Sequence, residues 1–139
     1  MKLPPDLKIY GDTSFRDKNC RKEWPEQKEF FGFLKERRPR WHAIALHPKN
    51  EGKRTPQQAQ RDAELGSLNK GASDIIIPAR IPFICELKRV DHTMKGCTIR
   101  KEQLVYLRAA RDEGAFTCIA LGCAAAWEAL LEWEKLLLK

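Results

Sequence analysis

Two short apolar runs separated by a proline-bounded gap stand in the middle of the chain: Gly71-Ala72-Ser73-Asp74-Ile75-Ile76-Ile77, then Phe83-Ile84-Cys85-Glu86-Leu87-Lys88-Arg89. β-Branched and aromatic residues fill both runs and Pro78 and Pro82 mark the gap, so the pattern predicts two strands joined by a tight connection. Side chains alternate across a strand, which puts Cys85 and Leu87 on one face and Glu86 and Lys88 on the other. A strand this apolar belongs in the middle of a sheet. A carboxylate beside an ammonium is costly there unless the pair faces a wet cleft or a metal. Asp74, opening the first strand, brings a second carboxylate within reach of the same cleft.

The rest of the chain divides around this pair. Residues Met1 to Trp24 show no clean period and are predicted to form an irregular arm, with a single domain over 25–139. Pro25 suits the first position of a helix that continues to Arg38 and stops at Pro39. Phe30, Phe33 and Leu34 share a face with Glu26, so Glu26 is predicted to point inward, with Arg37 as one candidate partner. Trp41 to Leu46 reads as a strand, followed by a polar, basic loop from His47 to Arg54. Thr55-Pro56-Gln57-Gln58 carries a capping-box pattern for a surface helix that Gly66 ends. Gly71 allows a sharp turn before Asp74. After a loop from Val90 to Cys97, a helix is predicted from Thr98 or Ile99 to Gly114, with Ile99, Gln103, Tyr106, Leu107 and Ala110 on one face and Arg100, Arg108 and Arg111 on another. Gln103 is polar on that apolar face, which a bond to a core backbone group would also explain. Ala115 to Leu121 reads as a buried strand. Ala124 to Lys139 forms a last helix whose apolar residues exceed one stripe, either packed on the sheet or open to a second copy of the chain.

Composition narrows the class. At 139 residues the chain is one domain's worth, and no run approaches the ~18 apolar residues that cross a membrane. No apolar signal segment opens it, so an intracellular, cytoplasmic protein is expected. The five cysteines, Cys20, Cys85, Cys97, Cys118 and Cys123, show no paired spacing and are expected as small buried thiols in a reducing compartment. Net charge is +7; three glutamates against two lysines follow Ala115, which leaves +8 on the residues before it. A basic surface there suggests a polyanionic partner.

The pattern of Asp74 followed by Glu86-Leu87-Lys88 is similar to the PD-(D/E)xK signature of the restriction-endonuclease-like nucleases. More narrowly, Lys70-Gly71-Ala72-Ser73-Asp74-Ile75 with Glu86-Leu87-Lys88-Arg89 and Gln103 resembles the VRR-NUC family, in particular its small stand-alone members of phage or prophage type. The resemblance runs from about Glu23 to about Gly122. Without the surface helix, the predicted elements follow the αβββαβ order of that fold: a mixed α/β sheet with an inserted surface helix and a C-terminal helix.

The resemblance implies a catalytic set of Asp74, Glu86, Lys88 and Gln103, with Glu26 at the position of the family's first-helix glutamate. Asp74, Glu86, Glu26 and the carbonyl of Leu87 would hold Mg²⁺ or Mn²⁺, hard ions suited to oxygen donors. Lys88 would either lower the pKa of an attacking water or stabilise developing charge, and Gln103 would orient a water. His47 and Asn50 resemble the family's His-x-x-Asn turn; with Lys49, Lys53, Arg54, Lys70, Arg89, Lys95 and Arg100 they would contact the nucleic-acid backbone. As a metal ligand His47 has no partner at ligand spacing. The implied protein is a homodimeric, metal-dependent DNA endonuclease that cuts four-way junctions, with no nucleotide cofactor and no membrane partner. Flap or other branched-DNA cleavage, and a DNA-binding module without turnover, are the alternatives.

Overall fold

The computed structural model describes residues 1–48, 55–66 and 69–139. Its strands are β1 (Ile9–Tyr10), β2 (Ile75–Ile77), β3 (Phe83–Lys88) and β4 (Phe116–Leu121), and its helices are α1 (Glu23–Arg37), α2 (Pro39–His42), α3 (Pro56–Glu64), α4 (Lys101–Asp112) and α5 (Cys123–Leu137). The sheet is mixed, in the order β1-β4-β3-β2. β4 runs parallel to β3 and β1, while β2 is antiparallel to β3 and places Ile75 opposite Cys85. A parallel neighbour needs a crossover, and α4 provides it between β3 and β4. The architecture is the mixed α/β class predicted, with a core consistent with the restriction-endonuclease-like fold.

Two helices cover one face of the sheet. Phe83, Cys85 and Leu87 of β3 and Cys118 and Ala120 of β4 pack with Phe30 and Leu34 of α1 and with Ala126, Leu130 and Trp133 of α5. On the other face Ile84 and Ile119 cluster with Leu107 of α4 and with Leu7 from the N-terminal segment. Every residue of β3 is therefore buried, including Glu86 and Lys88. The face expected to be wet is core at the Ile84 end and polar only farther along the strand. The apolar surplus of α5 is mostly spent on the sheet, with Leu131 and Leu138 left exposed.

Two local expectations change. Within Met1 to Trp24, expected to be irregular, Ile9–Tyr10 forms an edge strand whose register pairs Ile9 with Ile119. Trp41 to Leu46 is no strand: Pro39 opens the short α2, and Leu46 alone of this segment pairs with the sheet backbone, through a two-hydrogen-bond bridge to Ile76. Proline at a first helical position is preorganised for the turn, and Trp41, buried against Trp133, supplies the packing that holds it. Gly71 sits in the turn expected there, closed by the Ala72 N–H donating to the Asn69 carbonyl at 3.1 Å, and lack of space is a further reason for glycine: a Cβ would lie 2.1 Å from the carbonyl oxygen of Glu102. That close approach presses the lead-in to β2 against the first turn of α4. The surface helix forms as predicted, with Thr55 and Gln58 closing the capping box.

Candidate active site

Where β2 begins, its chain is fastened to β3 by a side chain: the Leu87 N–H donates to Asp74 Oδ2 at 2.9 Å. Asp74 is thus brought alongside Glu86 at the edge of the sheet. Glu86 points toward α4, whose inner face changes from Leu107 to Gln103 one turn earlier. Gln103 Nε2 donates to Glu86 Oε1 at 2.9 Å, and Gln103 Oε1 accepts the Arg100 backbone N–H at 2.8 Å. One end of the Gln103 amide thus bonds a backbone N–H and the other faces a cleft carboxylate. Lys88 Nζ lies 3.7 Å from Glu86 Oε1 and 4.0 Å from Glu23 Oε1, and donates to the Thr98 carbonyl at 2.6 Å. These groups line a cleft of about 300 Å³ with His47, Pro48, Ala72, Gly96 and Arg100.

The cleft concentrates negative charge in a poorly solvated place. Burial, then the neighbouring Asp74 carboxylate, push the Glu86 carboxyl well above the usual range, against the pull of Lys88. Burial also raises Glu23; Lys88 opposes this and Asp74 adds to it. Glu86 Oε2 is buried without a hydrogen-bond partner among the described residues. An orphaned carboxylate oxygen beside another carboxylate is an arrangement a divalent cation would relieve. Among the described residues no three His, Cys, Asp or Glu side chains form a ready-made metal cage. Magnesium does not need one, since it keeps several waters and is commonly held by one or two carboxylates. Asp74 and Glu86, with Glu23 at the rim, fit such an ion.

The site residues expected from sequence separate into two groups. Asp74, Glu86, Lys88, Gln103, His47 and Arg100 meet at the cleft. His47 Nδ1 is 2.8 Å from the Asp74 carbonyl oxygen, a backbone contact that orients its ring. Glu26 does not reach the cleft: its Oε1 accepts the Cys123 N–H at 2.8 Å and its Oε2 pairs with Arg21. Glu23, three residues earlier, lines the cleft instead. Its signal is an acid in the first turn of α1, masked because Pro25 also fits the first position of a helix. Proline is tolerated throughout a first turn, and the helix begins at Glu23. Arg89 turns away from the cleft and donates to the Cys20 carbonyl. Lys70 contributes its carbonyl to Arg100, and Lys95 is exposed in the loop beside Gly96. Lys49, Asn50, Lys53 and Arg54 lie outside the described residues.

The five cysteines are free thiols, and all but Cys20 are buried. Among the described residues no helix is long and apolar enough to cross a membrane.

No protein-family model matches the chain, and no curated protein matches it in sequence. A solved structure does: a VRR_NUC domain protein, 16% identical, aligns with 83% of this chain and 89% of its own at a TM-score of 0.65. Sequence motif and structural likeness thus lead to the same place by separate routes, and the chain has the fold of a VRR_NUC domain protein.

Proposed function

We propose that the chain is a metal-dependent DNA endonuclease that hydrolyses phosphodiester bonds at the cleft between β2, β3 and α4. The observation that carries this reading is Glu86: a buried carboxylate beside Asp74 and Lys88 in a polar cleft, with one oxygen unpartnered among the described residues. A polar group so placed is expensive to keep for structure alone. Asp74 and Glu86 would hold Mg²⁺ or Mn²⁺, with Glu23 within reach of the same shell. The bound ion would supply an activated water and offset charge gathering on the phosphate.

The remaining steps belong to the side chains. Lys88 uses one of its three hydrogens on the Thr98 carbonyl, which fixes the ammonium at the floor of the cleft and leaves donors for a phosphate oxygen or the attacking water. Gln103 holds Glu86 in one rotamer, so the carboxylate is positioned before substrate arrives. Arg100 and His47, on the cleft walls, meet the flanking backbone.

The finer reading follows the family resemblance: a homodimer acting on four-way junctions, where two equivalent sites meet two equivalent strands. The test is cleavage of a labelled four-way junction beside linear duplex, single strand and flap, with Mg²⁺ or Mn²⁺. Junction-selective cutting, lost in Lys88→Ala, is the expected result. Equal cutting of linear duplex by a monomer would remove the junction reading, and preferred flap cutting would replace it. Binding without cutting in either metal would make the chain a non-catalytic DNA-binding module.

A further inference from the structure

Helix α1 carries a second stripe that its core face does not explain. Glu26, Phe30 and Leu34 turn inward, but Trp24, Gln27, Lys28 and Phe31 follow the same helical spacing on a different face. Trp24 is 66% exposed, and its side chain makes no hydrogen bond or ring contact with the described residues. Phe31, one end of the stripe, is steadied edge-on by Phe30 at a centroid distance of 6.0 Å. Together the four residues line a groove of about 310 Å³ whose other walls are Glu23, His47 and Asp74. Those three also line the catalytic cleft, so groove and cleft are continuous. Single exposed apolar residues are ordinary on a protein surface. A free indole adjoining Glu23, with an ammonium one turn along, is a more specific arrangement.

An aromatic face beside a phosphate site suits a nucleobase, because stacking is available to every base and needs no hydrogen-bond match. Inside a duplex both faces of a base are already covered by its neighbours. A base that lies on Trp24 must therefore be unpaired or displaced from the stack, which is least costly at mismatched or single-stranded positions. Lys28 then stands where the backbone of that nucleotide would pass.

We propose that Trp24, supported by Phe31 and Lys28, stacks on an unpaired nucleobase adjoining the scissile phosphate, and so selects DNA with an unpaired nucleotide beside the cut. This rests on the nuclease reading and adds a substrate class to it. Trp24 acts here on the substrate directly, at the rim of the site, and takes no part in the hydrolysis itself.

The experiment compares a bulged duplex with its fully paired counterpart, each carrying 2-aminopurine next to the cleavage position. Fluorescence reports binding in chelator, and cleavage is followed separately with Mn²⁺. Tighter binding of the bulged duplex is expected, with Trp24→Ala weakening it on the order of ten-fold and leaving the paired duplex unchanged. Trp24→Phe, which keeps an aromatic face, should retain most of the preference. Equal losses on both DNAs, or an unchanged preference in Trp24→Ala, would overturn the stacking role while leaving the nuclease intact. Failure to bind or cut any DNA would overturn both.

Discussion

Two buried glutamates among the described residues, Glu26 and Glu86, differ in how completely their polar atoms are matched. At the junction of α1 and α5, Glu26 gives one oxygen to the Cys123 N–H and the other to Arg21, which also pairs with Glu29. Gly122 makes room for this: its φ of +98° is a glycine conformation, and a Cβ would lie 3.1 Å from Glu26 Oε1 and 2.8 Å from Val90. With no side chain at the N-cap of α5, Glu26 from another helix caps it, and its charge also suits the positive end of the helix. In the cleft, by contrast, Glu86 has one oxygen without a hydrogen-bond partner among the described residues, a carboxylate neighbour and a lysine too distant for a hydrogen bond. A closed network holds helices together. An open one asks for a ligand, so the same residue type three positions apart on α1 ends in a scaffold at Glu26 and in a candidate active site at Glu23.

The comparison breaks first on catalysis. Glu23→Gln is expected to lower cleavage on the order of a hundred-fold, as loss of a polar group aimed at a charged reaction centre does. Glu26→Gln should change the rate per folded molecule by no more than a few-fold. Single-turnover rates of the two variants, measured at saturating Mn²⁺ and again at limiting Mn²⁺, separate the outcomes; equal losses would mean that Glu26, not only Glu23, serves the chemistry.

On stability the order reverses. Glu26→Ala leaves the Cys123 N–H without its acceptor inside the protein and is expected to cost about 1–3 kcal/mol, the range for a buried group left unsatisfied. Half-exposed Arg21 loses Glu26 as well but keeps Glu29 and solvent, so that loss adds little. Glu23→Ala removes a partly exposed carboxylate from a crowded acidic cleft and should not destabilise the metal-free protein. Urea unfolding of the two variants checks this, and a smaller loss for Glu26→Ala than for Glu23→Ala would contradict the assignment of scaffold and site.

How much of this was legible beforehand follows from the kind of signal each residue leaves. Asp74, Glu86, Lys88 and Gln103 could be placed because strand alternation and helix periodicity fix which face each occupies, and β3 and α4 keep those periods. Glu23, which lines the cleft, leaves a weaker signal because a helix start is weakly encoded and Pro25 satisfies the same rule two residues late. Trp41 to Leu46 looked like a strand by composition, yet the Trp41 ring packing with Trp133, 92 positions away along the chain, decided for a turn of helix. Ile9–Tyr10 is too short to show a period at all; it is a strand only because β4 offers an edge. What local pattern encodes was readable, and what long-range packing decides was not.

The smallest effect sharpens the cleft's side of the comparison without touching catalysis. Folding raises Glu23 and Glu86 above their ordinary range near 4.5, so both carboxyls bind protons more readily in the folded chain than in the unfolded one. Their contribution favours the fold at pH below that range and is lost as pH rises through the raised values. The melting temperature of metal-free protein should therefore fall as pH rises from that range, and Mg²⁺ should offset the fall by occupying the site in the ionised state. Asp74→Asn removes the carboxylate charge that most strongly raises Glu86 after burial itself. It is expected to raise the metal-free melting temperature by a few degrees, about 1 kcal/mol for a domain of this size, to flatten the pH dependence, and to abolish the Mg²⁺ shift. Calorimetry of wild type and variant with and without Mg²⁺ reads all three. A variant that melted lower than wild type without metal would show that Asp74 is retained for its bond to the Leu87 N–H, and the cleft would then belong with the Glu26 cluster as scaffold.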